Sequence, residues 1–136
     1  MNIIIREYED KDMESLNELL DEVYKMKKSK NIANDNMELV AVDNERVVGY
    51  LTINKLFDSV QNINYANINY VCVLEKYRNR GICSNMLDKV INYCRKNNIS
   101  YIELTSNPTR KIARHLYEKK GFVERETSVY RKEIVW

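Results

Sequence analysis

Apolar residues change their spacing along this chain, and each change marks an element. Residues 2–8 open on Ile3-Ile4-Ile5 and read as a strand. Asp10 or Asp12 can cap the helix that follows. Met13, Leu16, Leu20, Val23 and Tyr24 then recur at the three-to-four-residue period of a helix with one buried face. The pattern fades in the polar stretch 27–36, read as a loop or a short second helix. Residues 37–43 (MELVAVD) and 46–56 (RVVGYLTINKL) are strand-like on either side of Asp43-Asn44-Glu45-Arg46, whose side chains favour a turn. The two form a hairpin, and Gly49 inside the second strand marks a bulge or a close backbone approach. Residues 64–74 (NYANINYVCVL) are a third strand.

A helix starts near Arg80, with Ile82, Met86, Leu87, Val90, Ile91 and Cys94 on one face. Residues 100–105 are a short strand. Pro108 suits the first turn of another helix, where its missing N–H costs nothing. Ala113, Leu116 and Tyr117 share a face of that helix, and Gly121 ends it as a C′ glycine. A final strand or pair of strands covers about 122–134. The order β-α-βββ-α-β-α-β predicts a mixed sheet with helices packed on it. With 136 residues, one proline and three glycines, no linker divides the chain, and residues 1–136 read as a single domain.

Composition narrows the function. Hydrophobic residues make up 44%, enough for one core. The net charge of +2 argues against a nucleic-acid binder driven by bulk charge. Lys25, Lys27, Lys28 and Lys30 form a denser run, either a solvated helix end or a lip that attracts an anionic ligand. Cys72, Cys83 and Cys94 have neither disulfide nor metal spacing, so no metal is expected, and free thiols suit a reducing compartment. No leader and no apolar run of membrane-spanning length is visible, so a cytoplasmic protein without a membrane partner is the expectation.

The segment most informative about chemistry runs from Tyr70 to Ser84. A strand ends, a basic loop turns, and a helix opens at Gly81. The first N–H groups of a helix have no intrahelical partner, and the macrodipole adds positive character there. Gly81 lets a phosphate approach the backbone, and Arg78 and Arg80 add charge. The plainer alternative is a helix start with two solvated arginines.

Two motifs then carry a resemblance. Val73-x4-Arg78-x-x-Gly81-x-Cys83 resembles the acyl-CoA loop of the GCN5-related N-acetyltransferase (GNAT) family, Gln/Arg-x-x-Gly-x-Gly/Ala after a strand. The segment 103–122, with Asn107, then Ala113-x-x-Leu116-Tyr117, then Gly121-Phe122, resembles that family's second signature. The resemblance implies an α/β fold with a mixed, mostly antiparallel sheet flanked by helices. It implies that acetyl-CoA is the co-substrate. The amides of Arg78, Asn79, Arg80, Gly81, Ile82, Cys83 and Ser84 would hold its pyrophosphate. Backbone of Val71, Cys72 and Val73 would pair with its pantetheine arm, and Asn107 would contact that arm. Cys83 departs from the usual Gly or Ala, a small-for-small change.

By the same resemblance Tyr117 is the general acid that protonates the departing thiolate. Without it, Tyr117 reads as a core tyrosine on a helix face and Asn107 as a helix cap. His115 reads as a surface residue rather than a base, and Cys83 as inert rather than a nucleophile. Glu38, Glu103 or a bound water are the candidate bases, since residues 64–74 hold no carboxylate. The expected reaction is direct attack of a primary amine on the thioester, with a backbone amide near Val73 stabilising the oxyanion. The spacing from Asn107 to Tyr117 resembles the small-molecule branch of the family, and no acidic cluster marks a polycationic acceptor. The lysine run suits an anionic amine better. The alternatives are a non-catalytic acyl-CoA-binding module and an acetyltransferase acting on a protein amine. A homodimer through the edge Ile134-Val135-Trp136 is a further possibility.

Overall fold

In the computed structural model residues 2–29 and 36–134 are described, and they fall into two compact units, Met1–Thr105 and Ser106–Trp136. The first unit holds β1 (Ile3–Glu7), a 3-10 turn at Asp10–Asp12, α1 (Met13–Tyr24), β2 (Met37–Asp43), β3 (Arg46–Asp58), β4 (Ile63–Val73), a second 3-10 turn at Glu75–Tyr77, α2 (Ile82–Lys96) and β5 (Ile99–Glu103). The strands form one sheet in the order β1-β2-β3-β4-β5. Its first three pairs are antiparallel, and β4 with β5 is parallel. A parallel pair needs a crossover, and α2 supplies it. The sheet is thus mixed and mostly antiparallel, as expected.

Local chemistry explains the joints. Asn44 and Glu45 both have positive φ, 47° and 69°, which makes the β2–β3 connection a mirror-image turn matched to strand twist. At the other hairpin Asp58 Oδ1 accepts the N–H groups of Val60 (2.9 Å) and Gln61 (3.1 Å), and Asn62 takes φ 58°. Asp12 bonds backward rather than capping α1 forward. Its carboxylate accepts both Arg6 nitrogens (2.8 and 2.9 Å) and the Glu9 N–H (2.8 Å), and it is 3% exposed. Burial alone would raise this carboxyl, but the Arg6 and Glu9 hydrogen bonds outweigh it and hold it below the ordinary value.

The two long helices bury the faces their sequences announce. α1 buries Leu16, Leu19 and Leu20, and α2 buries Ile82, Met86, Leu87, Val90 and Cys94. Each such side chain contributes about 1.5–3 kcal/mol by leaving water. Gly49 is the close approach the sequence suggested. A Cβ there would lie 3.1 Å from both Ala41 Cβ and Met86 Cε and 3.3 Å from Ile82 Cγ2. The missing side chain lets the first turn of α2 settle onto the sheet.

The second unit holds α3 (Lys111–Lys119). The helix closes as a Schellman motif: Phe122 N–H donates to Tyr117 O and Gly121 N–H to Glu118 O, both at 3.0 Å, with Gly121 at φ 92°. Pro108 precedes the helix instead of opening it. It sits in a turn closed by Arg110 N–H on Asn107 O (3.0 Å), because the Asn107 side chain binds Thr109 and holds that turn. Residues 122–134 form no strand, contrary to the expectation. Val123, Val129, Tyr130 and Ile134 are exposed and do not alternate, so the run has no apolar face for a sheet to bury. Val135 and Trp136, offered as a dimer edge, and residues 30–35 of the polar stretch lie outside the described residues.

Candidate active site

β4 divides into two halves. Asn64, Ala66 and Asn67 pair with β5, and β3 flanks the strand throughout. Beyond Asn67 no strand lies on the β5 side among the described residues. Opposite Leu51 the strand carries an extra residue, for Tyr50 pairs with Cys72 but Thr52 with Asn69. Tyr70, inside this bulge, has φ 56°, a conformation that a bulky side chain rarely adopts. A bulge bends its strand and increases the local twist, and it falls just after the last β5 pair, at Asn67. Tyr24 braces the bend: its hydroxyl donates to Val71 O (3.2 Å), and its ring meets that of Tyr70 edge-on at 5.5 Å.

Val71, Cys72 and Val73 are buried and lead directly into the basic loop. Arg78 Nε donates to Val73 O (3.1 Å), so this guanidinium braces the strand end. The Arg78 N–H is engaged too, donating to Glu75 O (3.2 Å). Asn79 (φ 64°) and Gly81 (φ 77°) both take the left-handed conformation that folds the loop back. Nothing lies within 4 Å of where a Gly81 Cβ would stand, so glycine serves the backbone angle there and not a packing limit. α2 begins at Ile82 with Gly81 as its N-cap. Its first intrahelical bond is Asn85 N–H to Gly81 O (3.0 Å), so the N–H groups of Ile82, Cys83 and Ser84 precede the helical ladder. The Arg80 guanidinium lies 5.3 Å from the centre of the Tyr77 ring, and the Tyr77 hydroxyl donates to Asp43 Oδ2 at 2.7 Å. That hydrogen bond holds the Asp43 carboxyl below, and the Tyr77 phenol above, its ordinary value.

On the α1 side of the sheet a cavity of about 320 Å³ is lined by Leu20, Met26 and Tyr70 together with polar groups from β2, β3 and β4. Glu38, one of the candidate bases, is among them. It accepts the Tyr50 hydroxyl and lies 2.9 Å from Lys28 Nζ. Burial and the Glu38 carboxylate push the Tyr50 phenol far above its usual range, so Tyr50 acts as a donor. Glu38 is a candidate from the sequence alone, whereas Tyr50, Thr52, Asn54 and Asn69 emerge from the fold. Their signal was present: in β3, Tyr50, Thr52 and Asn54 alternate with the apolar Leu51 and Ile53, and a polar stripe inside a buried strand lines something wet.

The other candidates are placed as follows. Glu103 ends β5 and is exposed, as is His115 on α3. Cys72 and Cys94 are buried, Cys83 half-buried, and burial raises the Cys94 thiol. Asn107 holds the turn before α3 and is not its cap, since Arg110 is and makes no side-chain capping bond. Tyr117 is buried and packs edge-on against Phe122 at 6.0 Å, the apolar contact of the Schellman motif. Both belong to the second unit. Among the described residues no helix is long and apolar enough to cross a membrane, and no three potential metal ligands converge.

The fold is shared with solved structures of low sequence identity. A transcriptional regulator from Bacillus halodurans C-125 matches with a TM-score of 0.84 at 21% identity, over 98% of this chain and 100% of that one. A Trypanosoma brucei acetyltransferase matches with a TM-score of 0.82 at 18% identity, over 97% of this chain and 100% of that one. An aminoglycoside acetyltransferase from an uncultured soil metagenomic sample gives 0.83 at 18% identity, over 99% and 100%. These likenesses establish the fold. A search of curated proteins found no match. A family model described as the acetyltransferase (GNAT) family matches residues 2–122, and the chain belongs to that family.

Proposed function

We propose that the chain transfers an acetyl group from acetyl-CoA to a primary amine of a small molecule, residues 1–136 acting as one cytoplasmic domain. The observation that carries this reading is the half-open β4. Beyond Asn67 no strand pairs with β4 on the β5 side among the described residues, and the strand leads into a basic loop and a helix N-terminus. That flank suits an extended amide-bearing arm, which adds to a sheet as a strand does. The loop and helix start suit a pyrophosphate. Acetyl-CoA supplies the acetyl group as an activated thioester, so no metal is required.

Val71, Cys72 and Val73 hold the pantetheine arm through their backbone, with Asn107 as a further contact. The N–H groups of Asn79, Arg80, Gly81, Ile82, Cys83 and Ser84 hold the phosphates. Arg80 adds charge at the rim, while Arg78 works chiefly as the brace on Val73. A backbone amide near Val73 stabilises the oxyanion, and Tyr117 delivers a proton to the leaving sulfur. The amine nitrogen bonds to the acetyl carbon as the carbon–sulfur bond breaks. An acceptor that arrives as an ammonium gives up two protons, one ending on CoA sulfur and one on water. Much of the rate comes from holding thioester and amine together.

Calorimetric titration with acetyl-CoA tests the binding half: wild type should bind and Gly81→Glu should not. Thiol release with an amine panel tests the chemistry. Tyr117→Phe keeps the ring packed on Phe122 and should lower kcat about a hundredfold, the small end of a general acid's contribution, with acetyl-CoA affinity unchanged. Binding without turnover of any amine would instead favour an acyl-CoA-binding module.

A further inference from the structure

The cavity beside α1 is built, not incidental. Lys28 is fixed there from several sides. Its backbone N–H donates to Asn17 Oδ1 (2.7 Å), and its carbonyl accepts from Asn17 Nδ2 (3.2 Å). Its ammonium lies 2.9 Å from Glu38 and 5.0 Å from the centre of the Tyr8 ring, and the side chain is only 12% exposed. Tyr50 reaches the same carboxylate from β3. Thr52 Oγ1 and Asn69 O are 3.4 Å apart across the floor, and Tyr70 of the β4 bulge forms part of the wall. The cavity therefore borders the strand end assigned above to the thioester.

Three properties of the lining select its occupant. At about 320 Å³ the volume is at the small end for ligand sites, which run from about 300 to 1,000 Å³. The floor of Tyr50, Thr52, Asn54 and Asn69 is polar, so it suits a hydrogen-bonding molecule over an alkyl one. The charge is unbalanced: among the described lining residues two cations, Lys27 and Lys28, face one anion, Glu38, and Lys28 already pairs with it. Lys27 is exposed and makes no ion pair among the described residues. A polycationic amine meets net repulsion there, while an anionic group meets Lys27 at the mouth and Lys28 within.

We infer that this cavity takes the acceptor, and that the acceptor is a compact primary amine that also carries an anionic group, such as an amino acid or an ω-amino carboxylate. The inference rests on the acetyltransferase reading for its chemistry, but binding tests it separately. Calorimetry with 4-aminobutyrate and with 1,4-diaminobutane, without acetyl-CoA, should give binding of the first only. Thiol release should show at least tenfold higher kcat/KM for ω-amino carboxylates than for diamines of equal length or an aminoglycoside. Lys27→Glu, an exposed change outside the acetyl-CoA site, should lower kcat/KM for the amino carboxylates about fivefold, the worth of one exposed ion pair. It should leave the KM for acetyl-CoA unchanged. Amino-carboxylate binding in a protein that ignores acetyl-CoA would keep the cavity assignment and remove the transferase. Acetyl-CoA turnover with diamines or aminoglycosides preferred, an indifferent Lys27→Glu, or no amine binding under either protocol would overturn the inference.

Discussion

The two halves of β4 differ in what surrounds them, and the difference separates fold from function. Residues 63–67 lie between β3 and β5, and Ala66 there is fully buried. Residues 68–73 pair with β3 only, among the described residues, and have a bulge at Tyr70 and a basic loop at their end. Groups that close the frame should therefore govern stability, while groups around the open half should govern binding. Substitutions that respect or violate this division test it.

The largest effect belongs to the frame. Asp12→Ala leaves Arg6, with 27% of its side chain exposed, without its bidentate partner. Losing one member of a largely buried ion pair costs about 3 kcal/mol, which lowers Tm by roughly 10 °C in a domain of this size. Acetyl-CoA affinity should not change. The pH dependence follows from the same contacts. The folded carboxyl is held below its unfolded value, so its contribution is complete above the unfolded value, about 3.9. It is lost as pH falls through the lower folded value. Acid titration of the wild type should show this loss, and the variant should lack it. Equal acid sensitivity in both would contradict the assignment.

Two glycines sharpen the comparison next. Gly49→Val puts a side chain where Ala41 and Met86 already stand 3.1 Å from a Cβ position. Overpacking of this kind costs about 2 kcal/mol. Because Ile82 is the third neighbour, the variant should also weaken acetyl-CoA binding, making Gly49 a frame residue that reaches the site. Gly81→Ala meets no atom within 4 Å but must hold φ near 77°. The strain is about 1 kcal/mol. Thermal melting should register little more than that, while acetyl-CoA affinity should drop about tenfold as the loop relaxes, equivalent to 1.4 kcal/mol.

The sequence made the frame and the loop legible for a physical reason: both are local. Helix faces repeat within a few residues, the turn at Asn44-Glu45 is set by adjacent side chains, and the basic loop with the helix start after it lies in one continuous segment. The cavity was not legible because it is assembled from α1, β2, β3 and β4, whose residues are far apart in the chain. Glu38 was visible as a carboxylate, but its pairing with Lys28 and Tyr50 depends on sheet register. The expected strands at 122–134 failed differently. Their apolar residues are present but lack alternation, so nothing along the run gives it a face to pair and bury.

The smallest effect tests whether the open half is braced from the frame. Asp43 closes the β2–β3 hairpin, and its carboxylate receives the Tyr77 hydroxyl at 2.7 Å. Tyr77 in turn presents its ring to Arg80 at 5.3 Å. Tyr77→Phe keeps the ring, and with it the cation–π contact, but removes the tether to Asp43. A cation over a half-buried ring near the surface is worth about 1 kcal/mol, and only its orientation is lost. The KM for acetyl-CoA should therefore rise about twofold to threefold with kcat unchanged, while Tyr77→Ala, which removes the ring as well, should raise it further. Both variants should melt within a few degrees of wild type. If Tyr77→Phe matched Tyr77→Ala, the tether would be the operative element and the ring incidental. If neither moved KM, Arg80 would not need its platform, and the tether from Asp43 would play no part in acetyl-CoA binding.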